Sequence, residues 1–485
     1  MLAMLRETSQ GNREKCMAVI RIAEIEIRTL AISVLLVALI IPASAGSKAR
    51  IVRLSEVQGT VQIERAPGDG FDKAFMNLPV VEGSRIKTGK DGRAEIEFED
   101  GSALRLAPGS EINFADLSLG DEGQKLNTVD LLSGTVYANL YVKSTYEKKA
   151  GDQFQLNFAR ESISVHGAAH FRVELNGRSR ATVALFKGKL SATGSAGQFD
   201  IAEKHSATIN FAKDVPKNAG ESAELGAKVE DPAQQDTFKI AKNYETEPLD
   251  AWDHQQSDYH DRYATTTSSA SLASPYAYGM SDLNYYGNFM LVPGYGNVWQ
   301  PYFIGSNWSP FLDGGWSFYS GMGYMWVSGY PWGWMPYNYG NWAFAPGFGW
   351  VWQPGNWNSW NTYPMVVNAP ARIVVPTAPK VGRQTVMVGR GLAVEPATGT
   401  PGRLTINPGS AGFGLPRGSV SHLDHFAKRM DQNSHSITVS TVQPVRTFSP
   451  ATTGFGSSSS MSGGRGAAAA APISAHPAPS AGRPH

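Results

Sequence analysis

Cysteine is almost missing from this chain: Cys16 is the only one in 485 residues. A single thiol near the start cannot form an intrachain disulfide or a cysteine-type zinc site. An excess of one charge is missing too. Lys plus Arg total 43 against 42 Asp plus Glu, a formal net charge of +1. That balance argues against a whole-chain polyanion binder, because neutralising phosphates needs a basic excess on one face. No apolar stretch of spanning length opens the chain. The N-terminal run Leu30 to Ile41 covers about 18 Å as a helix, short of the roughly 30 Å hydrocarbon core. What is abundant is Gly (51) and Pro (29), a load that a compact α-helical enzyme does not carry through its elements. The length suits about two to four domains.

Residues 1–45 read as a secretory signal peptide. Arg6, Arg13, Lys15, Arg21 and Arg28 precede the apolar run, and Pro42-Ala43-Ser44-Ala45 supplies an Ala-x-Ala box, with cleavage expected after Ala45. Met17 is an alternative start that keeps Arg21 and Arg28 as the positive flank. The expected location is secreted, periplasmic or cell-surface. Cleavage would remove Cys16 and leave no membrane span.

From Arg50 to about residue 215 the pattern has period two. Ala94, Ile96 and Phe98 alternate with Glu95, Glu97 and Glu99, followed by Asp100-Gly101 and then Leu104-Arg105-Leu106. Asp-Gly between alternating runs predicts a two-residue hairpin. Further short strands are predicted at Val136–Leu140, Ile163–Val165, Phe171–Val173 and Val183–Leu185, with Gly punctuation at 134, 167 and 188 among others. The expectation is an antiparallel β-sandwich or β-roll. Regular alternation makes the three glutamates the solvated side of a strand rather than an acid/base or calcium site. His166 and His170, four apart on a strand, would lie about 13 Å from each other, too far to share one ion. They read as structural.

Several stretches here resemble the FecR domain in order and spacing: Gln58-Gly59-Thr60-Val61, Gly83-Ser84-Arg85-Ile86-Lys87-Thr88-Gly89, Asp100-Gly101-Ser102, Ser133-Gly134-Thr135-Val136 and Phe186-Lys187-Gly188-Lys189-Leu190. His166-Gly167-Ala168-Ala169-His170-Phe171 departs from the family's usual Gly-Thr before an aromatic. The resemblance implies an extracytoplasmic β domain. In the family's best-known architecture that domain relays an outer-membrane signal to a sigma factor, from behind a cytoplasmic region and one span. Only 29 residues precede the apolar run in this sequence, too few for an independent cytoplasmic domain.

Residues 216–275 form an acidic connector. Phe238, Ala241 and Tyr244, then Leu249, Trp252, Tyr259 and Tyr263, suggest one or two short helices, and Thr265 to Ser271 a linker. Asp250-Ala251-Trp252-Asp253 resembles a short helical segment found between FecR-type domains and the aromatic module that follows. His254 and His260, near Asp253 and Asp258, are weighed as metal ligands but read as a solvated helix face.

Residues 276–363 hold 29 aromatic side chains in 88 and contain no Lys, Arg, His, Glu or Cys. Three ungapped copies of one pattern begin at Gly287, Gly314 and Gly340, starts 27 and 26 residues apart. Within each copy large rings two positions apart flank a Gly-x-Gly, which predicts strand, turn, strand with same-face rings meeting across the hairpin. The repeat resembles a Trp/Tyr/Gly-rich family of unknown function that follows FecR domains in secreted bacterial proteins, most specifically at Trp332-Gly333-Trp334-Met335-Pro336-Tyr337 through Trp342. Asn338 and Asn341 stand where that family usually has a His and an Arg. Three readings stay open: a platform stacking on sugar faces, a membrane or protein interface, and the core of a small module. The candidate platform residues are Trp299, Trp316, Tyr324, Trp326, Trp332, Trp334, Trp342, Trp350 and Trp352.

Residues 364–485 carry eleven Lys and Arg against Glu395, Asp424 and Asp431. They read as a basic, weakly structured tail with strands at Arg372–Val375, Thr385–Val388 and Ser436–Val439, disordered from Phe455 onward. His422-Leu423-Asp424-His425 is too little for a metal site. The overall expectation is a mainly β, non-enzymatic binding or scaffold protein of the bacterial envelope, without cofactor or metal. Its expected partners are envelope polysaccharide or another envelope protein, and nucleic acid is not expected. A FecR-type regulator of a sigma-factor pathway is the alternative.

Overall fold

The computed structural model describes residues 50–140, 151–212, 236–266, 269, 272–368, 376, 386–389, 393–433 and 435–442. The expected signal peptide, the strand at Arg372–Val375 and the tail from Phe455 lie outside them. The chain is mainly β, and among the described residues no helix is long and apolar enough to cross a membrane.

Residues 52–211 build a small barrel from two layers that share two long strands, Lys125–Leu140 and Arg180–Gly194. The first part of Lys125–Leu140 pairs with Glu111–Leu119 and, in parallel, with Gln153–Phe158. Its last part pairs with Ala103–Leu106 and Ala169–Asn176 in the other layer. Gly134 sits at the crossover with φ +80°, where a Cβ would lie 2.6 Å from Ser110 Cα. Only glycine fits that conformation and that gap. The core between the layers is mostly aliphatic, with Leu54, Ile63, Ile96, Leu104, Leu131, Val173 and Val183 buried beside phenylalanines such as Phe114, Phe158 and Phe171.

Two local expectations change. Phe98 N donates to Ser102 O, so the Asp100-Gly101 turn is a three-residue loop, with Gly101 left-handed at φ +83°. Thr237–Ala241 is a strand rather than a helix: it pairs with Ser206–Asn210 and lays Phe238 on Phe199, ring centroids 4.1 Å apart. The helix Asp250–Tyr263 forms where the connector predicts one, and the turn leading into it is closed by Asp250 Oδ2 accepting from Glu247 N at 2.9 Å.

The three aromatic repeats are three hairpins: Gly287–Val292 with Gly296–Pro301, Gly314–Tyr319 with Gly323–Ser328, and Asn341–Ala345 with Gly349–Gln353. The facing pairs are Phe289 and Trp299, Trp316 and Trp326, and Trp342 and Trp352. Why each copy starts with glycine is now physical. A Cβ on Gly287 would meet Trp299 Cζ2 at 2.4 Å, one on Gly314 would meet Trp326 Cζ2 at 2.5 Å, and one on Gly340 would meet Trp352 Nε1 at 2.9 Å. The indole of each return strand leans over the glycine that opens its copy.

The first and third hairpins share a sheet through Trp299 and Trp352, while the second stands apart, beside Val386–Gly389. That second hairpin has two buried faces. Trp316, Tyr324 and Trp326 turn into the aromatic core, and Tyr319, Met325 and Val327 join the core of the barrel. The described part of 393–442 is likewise ordered and packed, which corrects the expected weakly structured tail there. Arg403–Ile406 pairs with Ile437–Ser440, and Phe413, Leu415, Val420 and Met430 enter the aromatic core.

Candidate functional site

The strand face carrying Glu95 and Glu97 is buried, not solvated. Glu95 is 0% exposed, Glu97 1% and Glu99 6%. Alternation did put them on one side of the strand, but that side is roofed by the helix Asp250–Tyr263, the helix Met280–Tyr286 and Arg417. Three buried carboxylates cannot stay ionised without partners, and the partners are basic side chains from four parts of the chain, most of them far off in sequence.

Glu95 is saturated. Its Oε2 accepts from Arg105 Nε at 2.8 Å on the neighbouring strand. Its Oε1 accepts from Ser55 Oγ at 2.7 Å and Arg417 Nη1 at 2.7 Å, and lies 2.9 Å from His260 Nε2. Burial pushes the carboxyl upward, but His260, Arg105 and Arg417 outweigh it and hold Glu95 well below the usual range. Glu97 has less cationic company. Arg53 Nη1 stands 3.2 Å away and His260 Nδ1 3.8 Å, so burial wins and its carboxyl is pushed up. Glu99, in the hairpin loop, is gripped in two-pronged fashion by Arg50, Nε to Oε1 at 2.8 Å and Nη2 to Oε2 at 2.5 Å.

Asp282 is the second hub. Its oxygens accept from Arg417 Nε at 2.9 Å, Arg417 Nη2 at 2.8 Å and Tyr259 Oη at 2.8 Å, and Oδ2 lies 2.7 Å from Arg53 Nη1. Burial works against its ionised form, yet Arg417 and Arg53 keep its carboxyl below the ordinary value. Arg417 thus forks onto Asp282 and Glu95 at once, with its Cζ 5.5 Å from the centre of the Tyr259 ring. A third group ties the helix start: Asp250 accepts from Arg172 and from Tyr137 Oη at 3.0 Å. Further along the same helix, Asp253 Oδ1 accepts from Arg105 Nη1 at 2.6 Å, and Oδ2 lies 2.5 Å from His170 Nε2.

Of the three readings the sequence leaves open for the predicted site residues, burial supports the core. All nine platform residues, Trp299, Trp316, Tyr324, Trp326, Trp332, Trp334, Trp342, Trp350 and Trp352, are buried. They form a core, not a sugar-facing surface. Trp332 lies at its centre, stacked on Tyr330 at 4.8 Å, 4.9 Å from Trp299 and 6.0 Å from Trp342, with Nε1 donating to Ala411 O at 2.7 Å. The rings are inside because the three hairpins, the helix Asp250–Tyr263 and the C-terminal segment pack them against one another in a shared aromatic core. His260 is turned inward onto Glu95, its side chain 14% exposed, which overturns its place on a solvated helix face, whereas His254 is exposed as expected.

Sequence reasoning missed the charge lattice. The signal was present: Glu95, Glu97 and Arg105 share a strand face through the Asp-Gly loop, and opposite charges facing across a hairpin suit a covered surface as well as an open one. Arg417, 322 residues from Glu95, was beyond any local pattern.

Two family models match the chain: FecR protein over residues 84–191, and a family of unknown function (DUF6600) over residues 280–379. No curated protein matches the sequence. Among solved structures, the chain is similar to a candidate anti-sigma factor from Parabacteroides distasonis determined at 2.50 Å, with 14% identity over 36% of this chain and 71% of that one, at a TM-score of 0.25. A second such structure from that organism, at 1.65 Å, gives 12% identity over 36% of this chain and 92% of that one, at a TM-score of 0.22.

Proposed function

The chain carries a FecR domain followed by a DUF6600 region, and on that premise we propose that it is a non-enzymatic FecR-type regulator, working outside the cytoplasm in a relay that reports to a sigma-factor pathway. The observation that carries the reading is the buried lattice. Arg417 joins Glu95 of the barrel to Asp282 of the aromatic module, and Asn77 of the barrel donates to Ser328 O at 2.9 Å and Tyr330 O at 2.8 Å. A displacement at one module is therefore passed to the other through short, desolvated contacts rather than through a loose linker. Such coupling suits a relay.

The same contacts support the non-enzymatic part. A general acid or base needs a free lone pair or proton directed at substrate, and both Glu95 oxygens are taken up by Ser55, Arg105, His260 and Arg417. Residence outside the cytoplasm rests on the signal-peptide pattern of residues 1–45. Polysaccharide binding through the nine candidate rings is not part of the reading, since stacking needs faces that are here turned inward. The test is a transcript profile of cells lacking the protein, set beside cells restored with the wild-type chain. A coordinated, restorable change in genes sharing one promoter class is expected. An unchanged profile would sink the proposal.

A further inference from the structure

We propose that His170, Asp253 and His254 bind one divalent transition-metal ion of the zinc type, fastening the helix Asp250–Tyr263 to the barrel. The sequence divides these residues between two unremarkable pairs, His166 with His170 on a strand and His254 with His260 on a helix. Packing recombines them. One imidazole from the strand Ala169–Asn176 meets a carboxylate and an imidazole that are adjacent on the helix, and the ligand atoms of all three lie within 4.8 Å of one another.

That spacing is close to what coordination requires. Tetrahedral zinc with bonds of about 2.0–2.1 Å keeps its ligand atoms roughly 3.3 Å apart. His170 Nε2 and Asp253 Oδ2 are already 2.5 Å apart, so the closure required is a turn of the exposed His254 ring and a slight opening of the other pair. The donor set selects the metal. Two imidazoles and one carboxylate suit zinc, nickel or copper, whereas calcium and magnesium take oxygen ligands. Three protein donors leave a fourth position, and His254, being exposed, puts that position at the surface, where water completes it and ions enter.

The surroundings are those of a supported site. Asp253 Oδ1 is held by Arg105 Nη1 at 2.6 Å, and Arg105 is itself fixed by Glu95 at 2.8 Å. The carboxylate is thereby oriented with Oδ2 toward the two rings, the role outer partners play for metal ligands. On the barrel side the neighbouring strand Arg180–Gly194 is bulged: His170 faces Lys187 and Phe171 faces Leu185, leaving Phe186 without a counterpart. The extra residue places the Phe186 ring 5.1 Å from His170 and 5.7 Å from His254, with Tyr244 behind it at 5.0 Å. Bulges re-aim side chains in this way beside functional sites.

The inference stands on this geometry alone and does not rest on the relay reading. Its test uses the tag-free protein stripped of metal, titrated with zinc chloride by calorimetry and with cobalt(II) as a spectroscopic probe. One equivalent is expected to bind, with a visible cobalt band that zinc abolishes. His254→Ala and His170→Gln are each expected to weaken binding by about tenfold or more, while His425→Ala, at a 70% exposed side chain, leaves it unchanged. Because His254 is at the surface, its truncation is expected to leave the circular dichroism spectrum intact. Failure of the wild type to bind, or affinity unaltered by His254→Ala in a folded protein, overturns the proposal.

Discussion

Arg417 shows how much one side chain can decide. It enters a pocket of carboxylates from a segment that composition marks as tail, and it neutralises Glu95 and Asp282 together. A buried ion pair contributes little compared with an apolar replacement of both partners, but removing one partner strands the other charge at a cost of about 3–5 kcal/mol. Arg417→Ala is accordingly expected to lower stability by roughly that amount, read as a fall in thermal midpoint. Arg417→Lys is expected to recover little of it, because a single ammonium cannot reproduce the fork onto Asp282. A midpoint unchanged by Arg417→Ala would mean that the lattice adds nothing to the fold.

At the scale of elements, the repeat is the best-read part of the chain. Period-two rings around Gly-x-Gly predict three hairpins, and three hairpins form, because the facing pairs are set by turn length alone. What the pattern could not contain is which way the rings face. A hairpin alone exposes both faces; the second hairpin is buried between the aromatic core and the core of the barrel, and side chains from 393–442 add to the aromatic core. Trp352, fully buried with Nε1 donating to Tyr339 O at 2.8 Å, is therefore expected to behave as a core residue. Trp352→Ala should cost about 3–5 kcal/mol, seen in denaturant unfolding, with no change in retention on immobilised polysaccharide. Loss of retention by a variant of wild-type stability would restore the platform reading.

Across the whole molecule, the lattice makes stability depend on pH from two directions. Glu95, Glu99, Asp253 and Asp282 have carboxyls held below their ordinary values, burial notwithstanding, by neighbouring Arg and His cations. Their stabilisation is present above the unfolded values of about 4 and is lost as pH falls through the lower folded values. His260 is displaced the other way. Burial disfavours its charge, but Glu95 and Glu97 outweigh burial and raise its pKa. Its contribution is full below about 6.5 and is lost as pH rises through the higher folded value. Glu97, raised by burial, adds to the loss on the same side, since the fold prefers its protonated form. The thermal midpoint is expected to peak in mildly acidic buffer and fall through neutrality, and His260→Gln to flatten the alkaline limb. A limb equally steep in that variant would assign the dependence to other groups.

The sequence by itself determined the elements of this protein and much of its organisation. Alternation, Asp-Gly and Gly-x-Gly turns and the repeat period are local rules, so the barrel strands, the connector helix and the three hairpins are legible one segment at a time. Local rules also specify which residues share a face, which is why Glu95 and Glu97 fall on one side of their strand as the alternation predicts. Whether that face meets water or protein is not a local property. It depends on Asp282, His260 and Arg417 arriving from far along the chain, and on residues 393–442 closing over the rings. Only the tertiary structure decided that the glutamates are partners of buried cations, that the tryptophans are core, and that His170 meets Asp253 and His254. The reason is physical: desolvation, which sets the fate of a charge or an indole, is exerted by whatever packs against it and not by its neighbours in sequence.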